Sequence, residues 1–198
     1  MPHARLPLNW QIDWFEAFRH IDQLDFDARS GPASQMQWNH HGRGRVTVRE
    51  DGHDLHVDEH FTLDNGLSCS DRKCWRFTAE GIVFRHWRQQ RYQDILLLVP
   101  HEPDSALAQD PGKPPGTRHR PDPGFPDTTA QGRPTSSTQT PTPRSLVPQS
   151  PYRCPPDLYD GTLMLAGDTL LLSLRITGER KDEHIQYRYR RRALAPGR

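Results

Sequence analysis

Apolar and polar side chains alternate with a period of two along much of this chain. Leu55, Val57, Glu59 and Phe61 occupy one set of alternate positions, and polar residues occupy the other set. Such alternation is typical of β-strands that bury one face. The pattern predicts strands at residues 45–49, 55–61, 67–78, 82–87, 92–99, 163–166, 169–177 and 184–192.

Short turn sequences separate these strands. Asp51-Gly52 and Asn65-Gly66 are hairpin signals, and Gly167-Asp168 is a third turn of the same kind. Helical segments do not alternate with the strands, so a parallel α/β sheet is not expected. About eight strands joined in this way bury one face and hide their edges best in a closed, antiparallel up-and-down β-barrel. A two-sheet sandwich is the structural alternative.

Two segments near the N-terminus break the regular pattern. Residues 10–26 allow two interpretations, a short N-terminal helix or a strand. The helical face would contain Trp14, Phe15, Phe18 and Ile21, and the strand face would contain Phe15, Ala17, Arg19 and Ile21. Residues 28–43 are rich in Gly, Ser, Asn and His, which predicts a loop.

A proline-rich segment interrupts the series of strands. Residues 102–148 contain eleven of the 19 prolines and a single aromatic residue, Phe125. Such a segment buries too little apolar surface to offset the entropy of ordering it. We therefore expect one domain over residues 1–198, with a disordered insertion at 102–148 between two barrel parts at 10–101 and 149–192.

Charge and cysteine content narrow the class of protein. Lys and Arg total 26 against 25 for Asp and Glu, so no strong field favours nucleic acid or an acidic membrane. The three cysteines, Cys69, Cys74 and Cys154, lack zinc-type spacing and fit reduced thiols. No apolar run is long enough to span a bilayer, and no secretory signal is evident. The sequence therefore predicts a cytoplasmic protein without membrane or nucleic-acid partners.

One motif suggests metal chemistry. The run His56-Val-Asp-Glu59-His60 matches an inverted zinc-protease string, which requires a helix to bring its ligands together. On a strand, Glu59 points away from both histidines, whereas His56, Asp58 and His60 share the polar face. We interpret that face as solvent-exposed and predict no metal site. Glu59 then lies among apolar residues and needs a cationic partner, for which the candidates are Arg72, Lys73, Arg76 and Lys181.

Several segments resemble an uncharacterised family, domain of unknown function 6314, which is similar to the lipocalin-like calycin barrels. The matching runs are Phe15-x-Ala17-x-Arg19-x-Ile21-Asp22, Leu55-x-Val57-x-Glu59, Cys154-Pro-Pro-Asp157-Leu-Tyr159-Asp-Gly161 and Gly178-Glu179-x-Lys181-Asp182. The chain departs from the family pattern at Gln93, Tyr152, Leu174 and Glu179, where the family has His, His, Trp and Pro. The resemblance implies a calycin-like barrel in which Phe15 on the first strand stacks with Arg190 or Arg191 from the last.

These observations predict a barrel that binds a small, partly apolar ligand in its interior. We expect the ligand-binding residues to be Glu59, Arg72, Trp75, Phe77, Phe84, Tyr92, Asp157, Tyr159, Lys181 and Tyr187. No catalytic residue and no cofactor follows from the sequence. The alternatives are an enzyme that uses an inward Glu or Tyr as acid or base, and an interaction module whose Pro-rich insertion binds a polyproline-recognising domain.

Overall fold

The computed structural model describes residues 9–101 and 144–191. Within them the chain forms one helix, α1 (Asn9–Arg19), and eleven strands. The strands are β1 (Ile21–Ser30), β2 (His40–Asp51), β3 (Asp54–Leu63), β4 (Ser68–Phe77), β5 (Ile82–Arg88), β6 (Arg91–Pro100), β7 (Arg144–Pro148), β8 (Tyr152–Cys154), β9 (Asp157–Ala166), β10 (Thr169–Thr177) and β11 (Asp182–Arg191).

Ten of these strands close into an antiparallel β-barrel. Each pairs with its neighbours in the order β10-β11-β1-β2-β3-β4-β5-β6-β7-β9, and pairing of β9 with β10 completes the ring. The short β8 pairs with the first residues of β9, while β7 pairs with residues near its end. The predicted antiparallel barrel is confirmed, with ten strands in the described residues instead of about eight, and the sandwich alternative is wrong.

Glycine in the left-handed region shapes three of the hairpin turns. Gly52, Gly66 and Gly167 have φ angles of 61°, 83° and 58°, which side chains other than glycine rarely adopt. These are the turns that the sequence predicts between β2 and β3, β3 and β4, and β9 and β10. Turn chemistry therefore sets the pairing of consecutive strands.

The ambiguous N-terminal segment contains both a helix and a strand. Residues 9–19 are helical, and β1 begins at Ile21 with Leu24, Phe26 and Ala28 buried at alternate positions. The loop predicted at residues 28–43 is wrong at both ends, because β1 continues to Ser30 and β2 begins at His40. Backbone pairing with β11 and β2 outweighs the loop-like composition there.

Part of the proline-rich segment also belongs to the barrel. Residues 144–148 form β7, which pairs with Leu98–Pro100 of β6 and with the end of β9. The predicted disorder is therefore wrong at these five residues, where Leu146 is buried in the core. Residues 102–143 of the predicted insertion lie outside the described residues.

Helix α1 covers one end of the barrel. Phe18 is fully buried, and its ring centroid lies 4.5 Å from that of Trp75. Gln11 Nε2 donates a hydrogen bond of 2.8 Å to the carbonyl oxygen of Thr78 in the β4–β5 turn. Trp14 is buried on the same helical face as Phe18. This end is therefore closed by side chains.

Phe15 does not make the contact that the family resemblance implies. It lies on α1 rather than on the first strand, and its ring centroid lies 5.1 Å from that of Phe77. Arg191 instead donates a 3.0 Å hydrogen bond to the carbonyl oxygen of Glu16, and Arg190 pairs with Asp25 on the outer face. The expected stacking is wrong because the helix, not a strand, carries the aromatic ring.

Among the described residues, no helix has the length and apolar character needed to cross a membrane.

Candidate functional site

The half of the barrel away from α1 contains a cavity of about 470 Å³. It lies between the inner faces of the strands and reaches the end formed by the β1–β2 and β3–β4 loops. Apolar side chains dominate its wall: Phe26, Trp38, Phe61, Leu63, Leu67, Phe84, Ile95, Leu174, Ile176 and Ile185. Cavities of this size and character are typical of small-molecule sites.

Packed aromatic rings form one side of the cavity. The ring centroid of Phe26 lies 5.0 Å from that of Phe61 and 5.3 Å from that of Tyr187. Phe84 lines the cavity and also packs on Trp75 at 4.9 Å, in the filled half of the barrel. These residues therefore separate the cavity from the core next to α1.

The β1–β2 loop forms a fixed part of the rim. The Trp38 backbone N–H donates a 2.6 Å hydrogen bond to Ser30 Oγ, which donates in turn to Glu183 at 2.7 Å. Ser34 Oγ also donates to the Glu183 carboxylate. Glu183 is 3% exposed, so these hydroxyls supply hydrogen bonds that a buried carboxylate requires. The network holds the Trp38 ring against the cavity.

Polar side chains are concentrated on the wall formed by β4 and β5. Asp71 and Lys73 occupy alternate positions of β4, and His86 and Arg88 occupy alternate positions of β5. Lys73 and His86 are directly paired across the two strands. Because side chains two positions apart share a face, all four line the cavity.

A continuous chain of hydrogen bonds joins this wall to the core. Tyr189 Oη donates to Glu59 Oε1 at 2.6 Å, and Lys73 Nζ donates to the other oxygen of Glu59. Lys73 Nζ also donates to Asp71 at 2.8 Å, and Asp71 lies 2.6 Å from His86 Nε2. Glu59 and Tyr189 are fully buried. The hydrogen bonds give the buried Glu59 carboxylate and Lys73 ammonium the partners that buried charges require.

The contact with Arg88 fixes the tautomer of His86. Arg88 Nε donates to His86 Nδ1 at 3.0 Å, and a guanidinium group can only donate. Nδ1 therefore accepts, and Nε2 carries the hydrogen that it donates to Asp71. Both ring nitrogens are thus engaged by neighbouring side chains, and His86 acts here as a neutral bridge.

Burial and charge pairing shift the pKa values of this group. Burial raises the pKa of Glu59, and the Lys73 ammonium opposes that effect. Burial would lower the pKa of Lys73, but the Glu59 and Asp71 carboxylates raise it well above its ordinary value. Desolvation is likewise outweighed at Asp71, whose pKa lies well below the usual range because of Lys73 and His86. Lys73 and Asp71 are therefore an ion pair at neutral pH.

Two buried tyrosines of β11 lie beside these charged groups. Tyr187 lines the cavity, and Lys73 Nζ lies 3.9 Å from the centroid of its ring. Burial raises the pKa values of Tyr187 and Tyr189 well above 10. Both phenols are therefore neutral in the folded protein, and Tyr187 faces the cavity as a polar but uncharged group.

Alkaline pH is expected to unfold the protein steeply. Folded Lys73, Tyr187 and Tyr189 all have pKa values above those of the unfolded chain, so the folded state retains three protons that the unfolded state releases. Their stabilising contribution is complete below about pH 10 and is lost above it, by about 1.4 kcal/mol per pH unit for each group. Chemical denaturation at increasing pH, read by circular dichroism, measures this slope.

Tyr187→Phe is the control for the alkaline prediction, because it removes one of the three protons and keeps the ring. We expect its stability to fall less steeply with pH than that of the wild type. Tyrosinate absorbance appearing near pH 10 for Tyr187 while the barrel stays folded would contradict the assignment.

The structure brings only part of the predicted ligand-binding set to the cavity. Phe84, Tyr159 and Tyr187 line it. Glu59 faces inward as the alternation predicts and has Lys73, one of its four candidate partners, as its cation. Glu59 lies behind Lys73 rather than on the cavity wall.

The other predicted residues lie elsewhere. Trp75 and Phe77 belong to the packed core beside α1, where they contact Phe18 and Phe15. The remaining residues lie on the outer face or at strand ends. Arg72 pairs with Asp58, and Tyr92 contacts His56. Asp157 pairs with Lys181. The Arg72 side chain is 60% exposed, because it neighbours Lys73 and so points to the opposite face.

Asp71, His86, Arg88 and Ile185 are cavity residues that the sequence did not single out. A usable signal exists for three of them. If Glu59 marks the inward face, pairing with β4 and then β5 makes positions 71, 73, 86 and 88 inward as well. That deduction requires the strand register, which the sequence alone does not fix.

One group of potential metal ligands lies on the outward-facing side of β3 and β4, and it shares only His56 with the sequence motif His56-Val-Asp-Glu59-His60. Asp54, His56 and Cys74 place potential ligand atoms within 4.8 Å of one another. Both oxygens of Asp54 already accept hydrogen bonds from Arg76, at 2.8 and 2.7 Å. Burial raises the pKa of the Cys74 thiol to about 11, so it is not a thiolate at neutral pH. This arrangement does not favour a divalent cation.

Comparison with known proteins finds similarity at the level of solved structures but no matching family model. No protein-family model matches the chain, and no curated protein matches it. A solved structure described as EF1p2_mFAP2b bound to DFHBI is similar, with 5% sequence identity, a TM-score of 0.40, and coverage of 90% of this chain and 96% of that one. The resemblance to domain of unknown function 6314 stays a prediction.

Proposed function

We propose that this barrel binds a small, partly apolar molecule in the cavity opposite α1. The observation that carries the proposal is the division of the barrel interior. Phe18, Trp75 and Leu55 fill the half beside the helix, whereas the other half encloses about 470 Å³ between mainly apolar walls. The polar group on β4 and β5 supplies the few oriented contacts that small-molecule sites typically include.

The enzyme alternative has less support from this geometry. Glu59 is enclosed by Lys73 and Tyr189 and does not line the cavity. Tyr187 does line it, but burial raises its pKa and keeps the phenol protonated at neutral pH. Glu59 is therefore out of reach of a ligand in the cavity, and Tyr187 does not act as a general base at neutral pH. The alternative that the Pro-rich insertion binds a polyproline-recognising domain stays a prediction, because residues 102–143 lie outside the described residues.

We also propose that the protein functions in a reducing compartment such as the cytoplasm. Cys69, Cys74 and Cys154 are all unpaired thiols. Free thiols of this kind persist where glutathione and thioredoxin keep cysteines reduced.

Leu174→Trp is expected to block ligand binding by filling the cavity. Leu174 lies on β10 with its side chain in the cavity wall, so the larger indole occupies space that a ligand needs. Titration with N-phenyl-1-naphthylamine, a neutral fluorescent probe, should show about tenfold weaker binding or none, the equivalent of at least about 1.4 kcal/mol.

Leu171→Trp is the matched control for this experiment. Leu171 lies on the same strand three positions earlier, and its side chain is on the outer face. It should leave probe binding unchanged, with thermal unfolding used to show that both variants fold. Equal probe binding by wild type and Leu174→Trp, or none by wild type, would argue against an interior site.

A further inference from the structure

Among the described residues, the side chains of Lys73 and Arg88 line the cavity as cations. They differ in whether a carboxylate balances the positive charge. Lys73 lies between two carboxylates, those of Glu59 and Asp71. Arg88 forms no ion pair with a carboxylate of residues 9–101 and 144–191. Arg88 is therefore the cation at the cavity whose charge the described part of the barrel does not pair.

Two contacts hold the guanidinium group in place without neutralising it. Its Nε donates to the neutral His86 ring at 3.0 Å, and its Cζ lies 5.4 Å from the centroid of the Tyr159 ring. His86 is held in turn by Asp71, which is held by Lys73. Neither contact uses the two terminal Nη groups, which are the pair that binds a carboxylate in a forked geometry.

Arg88 lies where the polar end of an elongated ligand in the cavity would be. It is the last residue of β5 and lies toward the open end of the barrel, whereas Phe26, Phe61 and Ile185 line the apolar wall. A ligand with an apolar tail among those side chains would present its other end near Arg88.

We infer that Arg88 is the receptor for the carboxylate of an amphipathic ligand whose apolar tail occupies the cavity. The inference rests on the proposed ligand-binding function and specifies the class of ligand as an apolar carboxylic acid. Arg88 binds the anion directly, and His86 positions Arg88 through the Nδ1 contact.

The charges around Arg88 favour a single negative charge over a doubly charged group. Asp71 lies on the same wall, 2.6 Å from His86, and would repel a dianion such as a phosphate monoester. A carboxylate carries a single charge and is repelled less, so it fits beside Arg88 better than a dianion does.

Competition for the neutral probe separates this inference from the proposed function. N-phenyl-1-naphthylamine is bound to the full chain and displaced with dodecanoate, 1-dodecanol or dodecylamine, which share a tail and differ in the head group. We expect dodecanoate to bind at least about tenfold more tightly than dodecanol, as for a hydrogen bond to a charged group. Dodecylamine should be the weakest of the three.

Arg88→Gln should remove the preference for dodecanoate while leaving the affinity for dodecanol unchanged, and Arg88→Lys should retain part of it. Arg91→Gln is the matched control, because Arg91 pairs with Arg88 across the same hairpin but is exposed and does not line the cavity. It should keep the full preference. Thermal unfolding shows whether each variant folds.

Different outcomes would contradict the role of Arg88 and the proposed ligand binding. Equal binding of dodecanoate and dodecanol by the wild type, tighter binding of dodecylamine, or an unchanged preference in Arg88→Gln would overturn the role of Arg88. The cavity proposal would survive any of these results, because the neutral probe still binds. Failure of the wild type to bind the neutral probe would instead remove the proposed function.

Discussion

Lys73→Met is expected to lower the free energy of unfolding by about 3–5 kcal/mol, the typical cost of removing one partner of a buried ion pair. Lys73 and Glu59 are 1% and 0% exposed, so methionine leaves the Glu59 carboxyl group without its cation in the core. Asp71 loses the same partner. Chemical denaturation near neutral pH, with circular dichroism as the signal, measures the change.

Arg72→Met is the matched control, because it removes a cation one position away that points outward. The Arg72 side chain is 60% exposed and pairs with Asp58 at 3.1 Å, and such surface pairs contribute about 1 kcal/mol or less. In the Lys73→Met background, adding Glu59→Gln should recover part of the lost stability by removing the uncompensated charge. Similar losses for Lys73→Met and Arg72→Met would contradict the buried ion pair.

The pH dependence of Lys73→Met has a defined sign. Burial raises the folded pKa of Glu59 above its unfolded value, and losing the ammonium raises it further. The folded variant then retains a proton that the unfolded chain releases above about pH 4.3. The contribution of Glu59 should therefore make the variant more stable in mild acid than at neutral pH.

Phe18→Ala is expected to cost about 3–5 kcal/mol by opening a cavity between α1 and the barrel. Phe18 is fully buried and packs on Trp75, so truncation removes the main contact that closes this end. Thermal and chemical unfolding measure the loss. Binding of the neutral probe should persist in the folded variant, because the ligand cavity lies in the other half of the barrel.

Ile12→Ala is the control for the helix, because Ile12 lies on α1 but is 50% exposed. Truncation there should change stability by less than about 0.5 kcal/mol. Equal effects at the two positions would mean that the buried face of α1 does not close the barrel.

The fold follows from the sequence wherever alternation and turn chemistry agree. The strand predicted at residues 169–177 has the bounds of β10, and the Gly52, Gly66 and Gly167 turns lie where their sequences place them. Prediction was left open or was wrong where another feature of the sequence obscured the alternation. Helical and strand spacing overlap before Ile21, and proline-rich composition conceals Leu146, whose burial depends on pairing with β6 and β9.

The candidate site follows from the sequence only in part. Alternation alone places Glu59 inside and requires a cation near it, and the structure supplies Lys73. Alternation does not show whether Lys73 or Arg72 points inward. The consecutive buried residues Cys74 and Trp75 interrupt the period of two in β4. The contact from Arg88 to Tyr159 joins strands that are distant in sequence, so only the closed barrel reveals it.

Native mass spectrometry of the full chain, purified from its own host without denaturation, tests the ligand-binding claim most directly. We expect the wild type and Leu171→Trp to carry one small acidic molecule per chain, and Leu174→Trp to carry none. Wild-type protein at the mass of the bare chain, indistinguishable from Leu174→Trp, would contradict a barrel that holds a ligand in its interior.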